Sequence, residues 1–195
     1  MKPNERGALR QVRSIGANFV TREDAGGPVI AGYFAVFNSN YEIWPGATEQ
    51  VAPGAFADCL SGDVRALADH QSLLVLGRTT AGTLSLREDE HGLYGEIKIN
   101  EHDSDAMNLY ARVQRGDVTQ CSFGFDILDE EYIENPDGSC LWILRKVLLY
   151  EVSVVTFPAY AETSVQARES DRETARRRIL QQRKNRVKEK IASWH

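Results

Sequence analysis

A single serine lies inside an otherwise apolar run, in the segment Gln120–Phe125 (Gln-Cys-Ser-Phe-Gly-Phe). If this run is a strand, period-two alternation puts Phe123 and Phe125 on one face and Ser122 and Gly124 on the other. Gly124 then leaves room beside the hydroxyl for a close backbone approach. The segment by itself favours an ordinary buried serine bonded to a carbonyl. The alternative is that Ser122 is a nucleophile, which requires a base and an orienting group elsewhere in the chain.

The candidate base is His70, which follows the predicted strand Val64–Ala68 and lies beside Asp69. Polar side chains at the end of a strand are presented to a neighbouring site more readily than those in its middle. Most lone histidines nevertheless have a surface or capping role. The other three histidines are weaker candidates. His91 lies at a hairpin tip, His102 precedes a predicted helix cap, and His195 is at the terminus.

The candidate third group is Glu151, at the start of an apolar strand. A carboxylate between apolar neighbours is costly to bury unless it is paired. An imidazolium formed at His70 would be such a partner, whereas a Glu facing solvent on an edge strand would need none. The residues alone therefore leave a Ser-His-acid set as one option, because such triads are recognised by geometry and not by sequence order.

The charge pattern divides the chain. Its 195 residues carry a net charge of −5, but residues 168–195 hold ten Lys/Arg against four Asp/Glu, and the preceding 167 residues hold 13 against 24. This asymmetry predicts an acidic body and a basic tail with different roles. We divide the chain into a polar start that is either a flexible lead-in or an edge strand (1–27), one β domain (28–160) and a basic helical tail (161–195). The tail is either a solvated segment or a docking segment for an acidic partner, nucleic acid or a coiled-coil surface.

Several function classes are disfavoured by composition. No apolar run reaches transmembrane length and the first residues contain no apolar signal region, so we expect neither a membrane span nor a secretory signal. Three cysteines, Cys59, Cys121 and Cys140, have no metal-like spacing and cannot all pair, which favours a reducing, cytosolic setting. No metal or cofactor is expected.

The pattern of strands and turns favours a mainly β fold. About seven strands and two short helices are predicted, the clearest being a strand over 28–37, a short helix after Pro53, a hairpin of 82–87 with 93–100, a helix from Asp103 or Ser104 to Gly116, and strands over 141–149 and 150–155. A loop through 76–78 is expected after His70. Because the helices do not alternate with the strands, a closed or nearly closed β-barrel with helical insertions is favoured over a parallel sheet.

Five sequence blocks, in order along the chain, resemble the prohead proteases of tailed bacteriophages, the capsid-maturation serine proteases of the Hong Kong 97 type. The blocks are Gly32–Phe37, Val51–Phe56, His70 with Leu76–Thr79, Cys121–Phe125 and Glu151–Ala159. The resemblance extends from about Ile30 to Tyr160 and leaves out the polar start and the basic tail. Two departures are Cys121, where Met is more common, and Asp69 before His70, where Asn is more common.

The resemblance implies a compact β-barrel related to the herpesvirus assemblin proteases. It implies an endopeptidase that works inside the immature capsid in the host cytoplasm, removes scaffold segments of the major capsid protein and processes itself. By position, Ser122 matches the nucleophile, His70 the general base and Glu151 the acidic third member. The loop at Gly77–Arg78 is our candidate source of oxyanion-stabilising amides, with a structural or charge-balancing role as the alternative for Arg78. Self-association is compatible with this role, and a membrane partner is not expected.

Three rival interpretations stay open at this stage. A cysteine protease could use Cys121, although alternation points that thiol away from the Ser122 face. A non-catalytic assembly or scaffold protein could retain the protease fold and bind the shell through its tail. A nucleic-acid binder could act through the basic tail, but the acidic body argues against nucleic acid as the main partner.

Overall fold

The computed structural model describes residues 10–16, 19–24 and 26–157. These residues form eleven β-strands and one α-helix. The strands are β1 (Gln11–Gly16), β2 (Val20–Asp24), β3 (Gly27–Val36), β4 (Tyr41–Trp44), β5 (Ala47–Val51), β6 (Arg65–Ala68), β7 (Gln71–Arg78), β8 (Leu84–Glu88), β9 (Gly92–Lys98), β10 (Gln120–Glu134) and β11 (Cys140–Val155). The helix, α1, spans Ser104–Arg115 and lies between β9 and β10.

The larger sheet is organised around the long antiparallel pair β10 and β11. Seven strands belong to it: β1 pairs with β10, and β5 and β6 both run parallel to β11, at its two ends. β4 extends the sheet beyond β5, and β7 extends it beyond β6. A parallel neighbour at each end of one strand is possible because β11 is 16 residues long. The strand that carries Glu151 therefore receives partners from two distant parts of the chain.

The smaller sheet has the order β2-β3-β9-β8, and all of its pairs are antiparallel. Its apolar residues share one hydrophobic core with the larger sheet and with α1. Within that core the rings of Phe123 and Phe125 stack with their centroids 4.9 Å apart, and Phe56 packs edge-on against Phe123. The Phe123 face of β10 is thus the core face, as the alternation of the segment predicts.

Several predicted elements are confirmed. The strand over 28–37 corresponds to β3, and the predicted hairpin corresponds to the antiparallel pair β8 and β9. The helix begins where the sequence indicates, because the Asp103 carboxylate accepts hydrogen bonds from the amides of Asp105 and Ala106, and it ends at Gly116.

The closed barrel is wrong for the described residues, which form two sheets instead of one continuous cylinder. The prediction of about seven strands also falls short of the eleven observed. The long β10–β11 pair is interrupted by register shifts near Gly124 and between Ile127 and Glu130. Such bulges bend and twist a strand pair, so a long hairpin can cover a core without closing on itself. The two sheets meet at a corner, where Phe37 bridges to Val51.

Two local predictions also need correction. The short helix expected after Pro53 is a series of turns. The amides of Ala55, Ala57 and Cys59 bond to carbonyls three residues back, without the continuous ladder of a helix. Gly54 has a φ of 86°, outside the range of a right-handed helix. The loop expected after His70 is strand β7. Its exposed Leu73 and partly exposed Val75 break the polar–apolar alternation by which an edge strand is usually recognised.

The polar lead-in contains two strands, since β1 and β2 lie within residues 1–27 and join opposite sheets. The predicted helical tail lies outside the described residues, and the division into three segments stays a prediction. None of the helices in the described residues combines the length and the apolar character that a membrane crossing needs.

A close backbone approach at Gly92 provides a test of the smaller sheet. A Cβ at this position would overlap the carbonyl oxygen of Ala35 on β3, and backbone atoms cannot move aside as a side chain can. We expect Gly92→Ala to lower the free energy of unfolding by about 2–3 kcal/mol, measured by urea denaturation. Gly16→Ala is the matched control because its nearest non-neighbouring atom lies 3.8 Å away. Equal stabilities of the two variants would contradict the described pairing of β3 with β9.

Candidate active site

The structure brings two of the three predicted site residues into direct contact. Nδ1 of His70 lies 2.7 Å from Oε1 of Glu151, although the residues are 81 positions apart. The contact arises because β6 runs parallel to β11, with Ala68 opposite Val154, so the turn after β6 lies beside β11. A carboxylate on Nδ1 favours the tautomer with its proton on that nitrogen, which leaves Nε2 as a proton acceptor.

His70 occupies a strained position. Asp69 and His70 form the two-residue turn between β6 and β7, and both have positive φ values of 47° and 60°. This backbone is the one that tight hairpins require, and Asn-Gly or Asp-Gly is its usual sequence. A bulky residue with positive φ costs free energy and persists where the surrounding structure imposes it, often at functional sites. The turn is held by Asp69, whose carboxylate accepts hydrogen bonds from the amide (2.7 Å) and the hydroxyl (3.1 Å) of Thr156.

Glu151 is buried, with 3 % of its surface exposed, and both of its oxygens are hydrogen-bonded. Oε2 accepts a hydrogen bond of 2.6 Å from the hydroxyl of Ser153, two residues along the same face of β11. Gly124 lies directly opposite Glu151 on β10, and a Cβ there would overlap Oε1. The glycine noticed beside Ser122 in the sequence therefore provides the space that the carboxylate fills.

Ser122 lies on the same face of the sheet, opposite Ser153 on β11 and opposite Ser14 on β1. Its side chain is fully buried, and its hydroxyl donates a hydrogen bond of 2.9 Å to the carbonyl of Arg13. This is the bonding expected of an ordinary buried serine. Nε2 of His70 is buried and has no hydrogen-bond partner among the described residues. The acid and the base are thus assembled, and the serine hydroxyl of the same sheet face is bonded elsewhere.

The arrangement of these side chains can support general acid–base catalysis. A carboxylate holds an imidazole by one nitrogen and leaves the other free to take or deliver a proton, with a serine on the adjoining strand. Catalytic hydrogen bonds are often incomplete before substrate binds, so the bond of Ser122 to Arg13 does not exclude it as nucleophile. No three His, Cys, Asp or Glu side chains within the described ranges converge as metal ligands would.

Cys121 points to the opposite face. Its thiol donates a hydrogen bond of 3.2 Å to the carbonyl of Tyr33 on β3, inside the core between the sheets. Burial raises the pKa of this thiol to about 12, so the reactive thiolate is strongly disfavoured at neutral pH. The structure therefore argues against Cys121 as the nucleophile, in agreement with the alternation of the segment.

Two parts of the site were missed in the sequence. Ser153 could have been found from the Glu-x-Ser spacing, which places both side chains on one face of a strand. The pair of Arg13 and Glu49, which lies below the Ser122 face, joins β1 to β5, and no local pattern signals it. Gly77 lies within β7 and not in a loop, and the Arg78 guanidinium is bound by Asp63, which gives Arg78 a structural contact. The expected supply of oxyanion-stabilising amides by Gly77–Arg78 stays a prediction.

A family model described as Caudovirus prohead serine protease matches residues 17–178. The chain belongs to this family. The resemblance found from the five sequence blocks is thereby confirmed, and the match extends beyond them at both ends.

The prohead protease family includes two curated relatives of this chain. The prohead protease of Enterobacteria phage HK97 is 32% identical over 146 residues, which are 73% of this chain and 60% of that protein. The prohead protease of Escherichia phage T5 is 33% identical over 81 residues, or 42% of this chain and 36% of that protein. The chain thus spans less than two thirds of the length of these relatives. Among solved structures, the capsid assembly protease gp21 of bacteriophage T4 matches with a TM-score of 0.48 and 10% identity, over 75% of this chain and 96% of that one.

The space at Gly124 provides a test of the acid–base pair. In Gly124→Ala the new Cβ displaces Oε1 of Glu151, so the bond to His70 is lost while the strand pairing remains. We expect loss of the downfield proton resonance of His70 Nδ1–H in NMR spectra. We also expect at least about a tenfold slower reaction of Ser122 with a fluorophosphonate probe, because small misplacements of catalytic groups are costly. Gly26→Ala, where a Cβ meets nothing within 4 Å, is the control. An unchanged His70 resonance in Gly124→Ala would contradict the described geometry.

The burial of Cys121 provides a second test. We expect Cys121→Ala to keep its reactivity toward the fluorophosphonate probe within about threefold, because the thiol lies on the core face. We also expect the native protein to resist iodoacetamide at pH 8, since all three cysteines are buried and the pKa of Cys121 is about 12. Ser122→Ala is the comparison variant. Rapid alkylation of Cys121 by iodoacetamide in the folded native protein, with Ser122 unlabelled by the fluorophosphonate, would restore the cysteine-protease interpretation.

Proposed function

We propose that this protein is a serine endopeptidase that cleaves scaffold segments of the major capsid protein, and its own chain, inside the assembling procapsid in the host cytoplasm. Family membership supports the reaction class and the setting. The observation that carries the proposal is the buried contact of His70 with Glu151, with Nε2 of the imidazole free for proton transfer and Ser122 on the adjoining strand.

In this proposal Ser122 Oγ attacks the carbonyl carbon of the substrate and its proton passes to Nε2 of His70. The same proton is delivered to the leaving amine as the peptide C–N bond breaks, and an acyl-enzyme remains on Ser122. Water then repeats the sequence and releases the acid. Glu151 holds the imidazole through Nδ1 and stabilises its charged form. Backbone amides must stabilise the oxyanion, at about 10²–10³ in rate for each donor.

Ser153 is a positioning residue in this mechanism. Its hydroxyl occupies Oε2 of Glu151, which leaves Oε1 for His70 and fixes the orientation of the carboxylate. The relation to the assemblin proteases is proposed for this arrangement of nucleophile, base and acid, not for a closed barrel.

A second candidate function has a specific observation in its favour. The hydroxyl of Ser122 is bonded to the Arg13 carbonyl and the side chain is fully buried, as it would be in an assembly or scaffold protein that retains the protease fold without its activity. The two functions differ in whether the capsid protein is shortened.

Co-expression with the major capsid protein of the same phage tests both functions. We expect a shortened capsid subunit with the intact chain and no shortening with Ser122→Ala. Ser85→Ala is the matched control because Ser85 is exposed on β8, in the other sheet, and it should cleave like the intact chain. Cleavage by both the intact chain and Ser122→Ala would place the nucleophile elsewhere. Assembly of capsids without cleavage by any variant would support the scaffold function.

A further inference from the structure

Strand β1 covers the edge of the strand that carries Ser122. It runs antiparallel to β10 from Gln11, opposite Phe125, to Gly16, opposite Gln120, and it is the last strand on that side of the sheet. Without β1, the backbone groups of β10 on either side of Ser122 would be unpaired. An unpaired edge is the kind of surface to which an extended peptide adds as a further strand.

The carbonyl of β1 nearest to the nucleophile belongs to Arg13. Ser122 Oγ lies 2.9 Å from its oxygen, and the following residue, Ser14, is directly opposite Ser122. A substrate bound in the place of β1 would present a peptide carbonyl at this point. Arg13 therefore corresponds to the residue on the N-terminal side of the bond that the enzyme would cut.

The side chain of Arg13 enters a site that fits a guanidinium. Its Nε and Nη2 atoms lie 2.6 and 2.9 Å from the two carboxylate oxygens of Glu49, in a two-point contact. The rings of Tyr41 and Phe125 lie 5.5 and 5.6 Å from the guanidinium carbon. Both charged residues are buried, at 8% exposed for Arg13 and 1% for Glu49. A small cavity of about 50 Å³ adjoins them.

Stability alone is a weak reason for such a pair. A buried ion pair costs desolvation free energy that well-packed apolar residues avoid, so replacing one with apolar residues is often neutral or stabilising. The two-point contact between a guanidinium and a carboxylate is, in contrast, a strong means of recognition. Glu49 lies on β5, which stays in the sheet when β1 is removed, so the acidic site belongs to the body of the enzyme.

We propose that the edge of β10 is the substrate-binding edge, that Glu49 selects a basic residue on the N-terminal side of the scissile bond, and that β1 occupies this site as an internal pseudosubstrate. This inference rests on the proposed function. It accounts for the full burial of Ser122 and for the direction of its hydroxyl, which donates to the Arg13 carbonyl and not to His70. With the proton held there, the serine is not activated and β1 is not cut. External substrate binds when β1 leaves the edge.

The experiment uses the full chain and measures the rate at which a fluorophosphonate probe labels Ser122. Two peptide aldehydes compete with the probe: acetyl-Leu-Leu-argininal and acetyl-Leu-Leu-norleucinal, which differ in the charge of one side chain. We expect the argininal to protect Ser122 at about a tenfold lower concentration, as the gain of a buried charge-assisted contact implies. Glu49→Gln should abolish this preference. Glu96→Gln, the same substitution at a partly exposed ion pair with Arg22, should keep it.

The Arg13→Met variant distinguishes recognition of a basic residue by Glu49 from a purely structural role of the Arg13–Glu49 pair. It removes the guanidinium of the pseudosubstrate but leaves Glu49 in place, so we expect Ser122 to be labelled about tenfold faster, with the preference for the argininal retained. A purely structural pair predicts the opposite, slower labelling in both Arg13→Met and Glu49→Gln. If Glu49→Gln does not fold because Arg13 is left unpaired, the double variant Arg13→Met/Glu49→Gln replaces it, and it should be labelled quickly without a preference.

The outcomes distinguish a failure of this inference from a failure of the proposed function on which it rests. Equal protection by the two aldehydes in a protein whose Ser122 is labelled overturns the inference and leaves the serine endopeptidase intact. Slower labelling of Arg13→Met than of the intact chain overturns it as well. Absence of any labelling at Ser122 in the intact chain and in a folded Arg13→Met overturns the proposed function, and the inference with it.

Discussion

The burial of the Glu151 carboxylate is the constraint on which the rest of the site depends. A carboxylate with 3% of its surface exposed is stable only when its oxygens are hydrogen-bonded. His70 and Ser153 supply those bonds, and Gly124 supplies the space. Each of the three is placed by strand register: Gly124 by the pairing of β10 with β11, Ser153 by alternation along β11, and His70 by the parallel pairing of β6. The acid–base pair is therefore a direct product of sheet topology.

The same topology accounts for the strained turn. Parallel pairing of β6 with β11 ends at Ala68, and only a tight two-residue turn returns the chain as β7 while keeping His70 beside Glu151. The positive φ values of this turn cost free energy, which the bonds of Asp69 to Thr156 offset. This use of both carboxylate oxygens gives a physical reason for Asp at position 69. The turn is thus fastened to the end of the strand that carries the acid.

Strand β1 lies beside the strand that carries Ser122. Edge strands are either covered or available for pairing, and β1 covers the edge beside Ser122. A backbone carbonyl and a buried guanidinium hold it there, and both contacts involve Arg13. Under the proposed function, a nucleophile that stays covered until β1 leaves would limit cleavage before assembly. In that proposal, Glu49 and the aromatic rings around it serve both the blocked and the active state.

Local patterns in the sequence were sufficient for several of the elements and for the chemical candidates. Alternation around Ser122 correctly separated its face from that of Cys121, the Asp103 cap and Gly116 delimited the helix, and five motif blocks pointed to the prohead protease family, which the family match confirms. These features are readable because they depend on residues close together in the chain. The closed barrel, the loop after His70 and the short helix after Pro53 were wrong, because bulges and edge positions depend on how distant strands meet.

Tertiary structure alone decided the relations between distant residues. The sequence named His70 and Glu151 as candidates, but their 2.7 Å contact exists because β6 and β11 pair in parallel in one register. The sequence pattern left residues 1–27 open as a lead-in or an edge strand, and only the pairing of β1 with β10 brings Arg13 to Ser122 and to Glu49. Periodicity determines which face of a strand a side chain occupies. Which neighbouring strand a given strand pairs with depends on the packing free energy of the whole chain, and a local sequence pattern does not predict it.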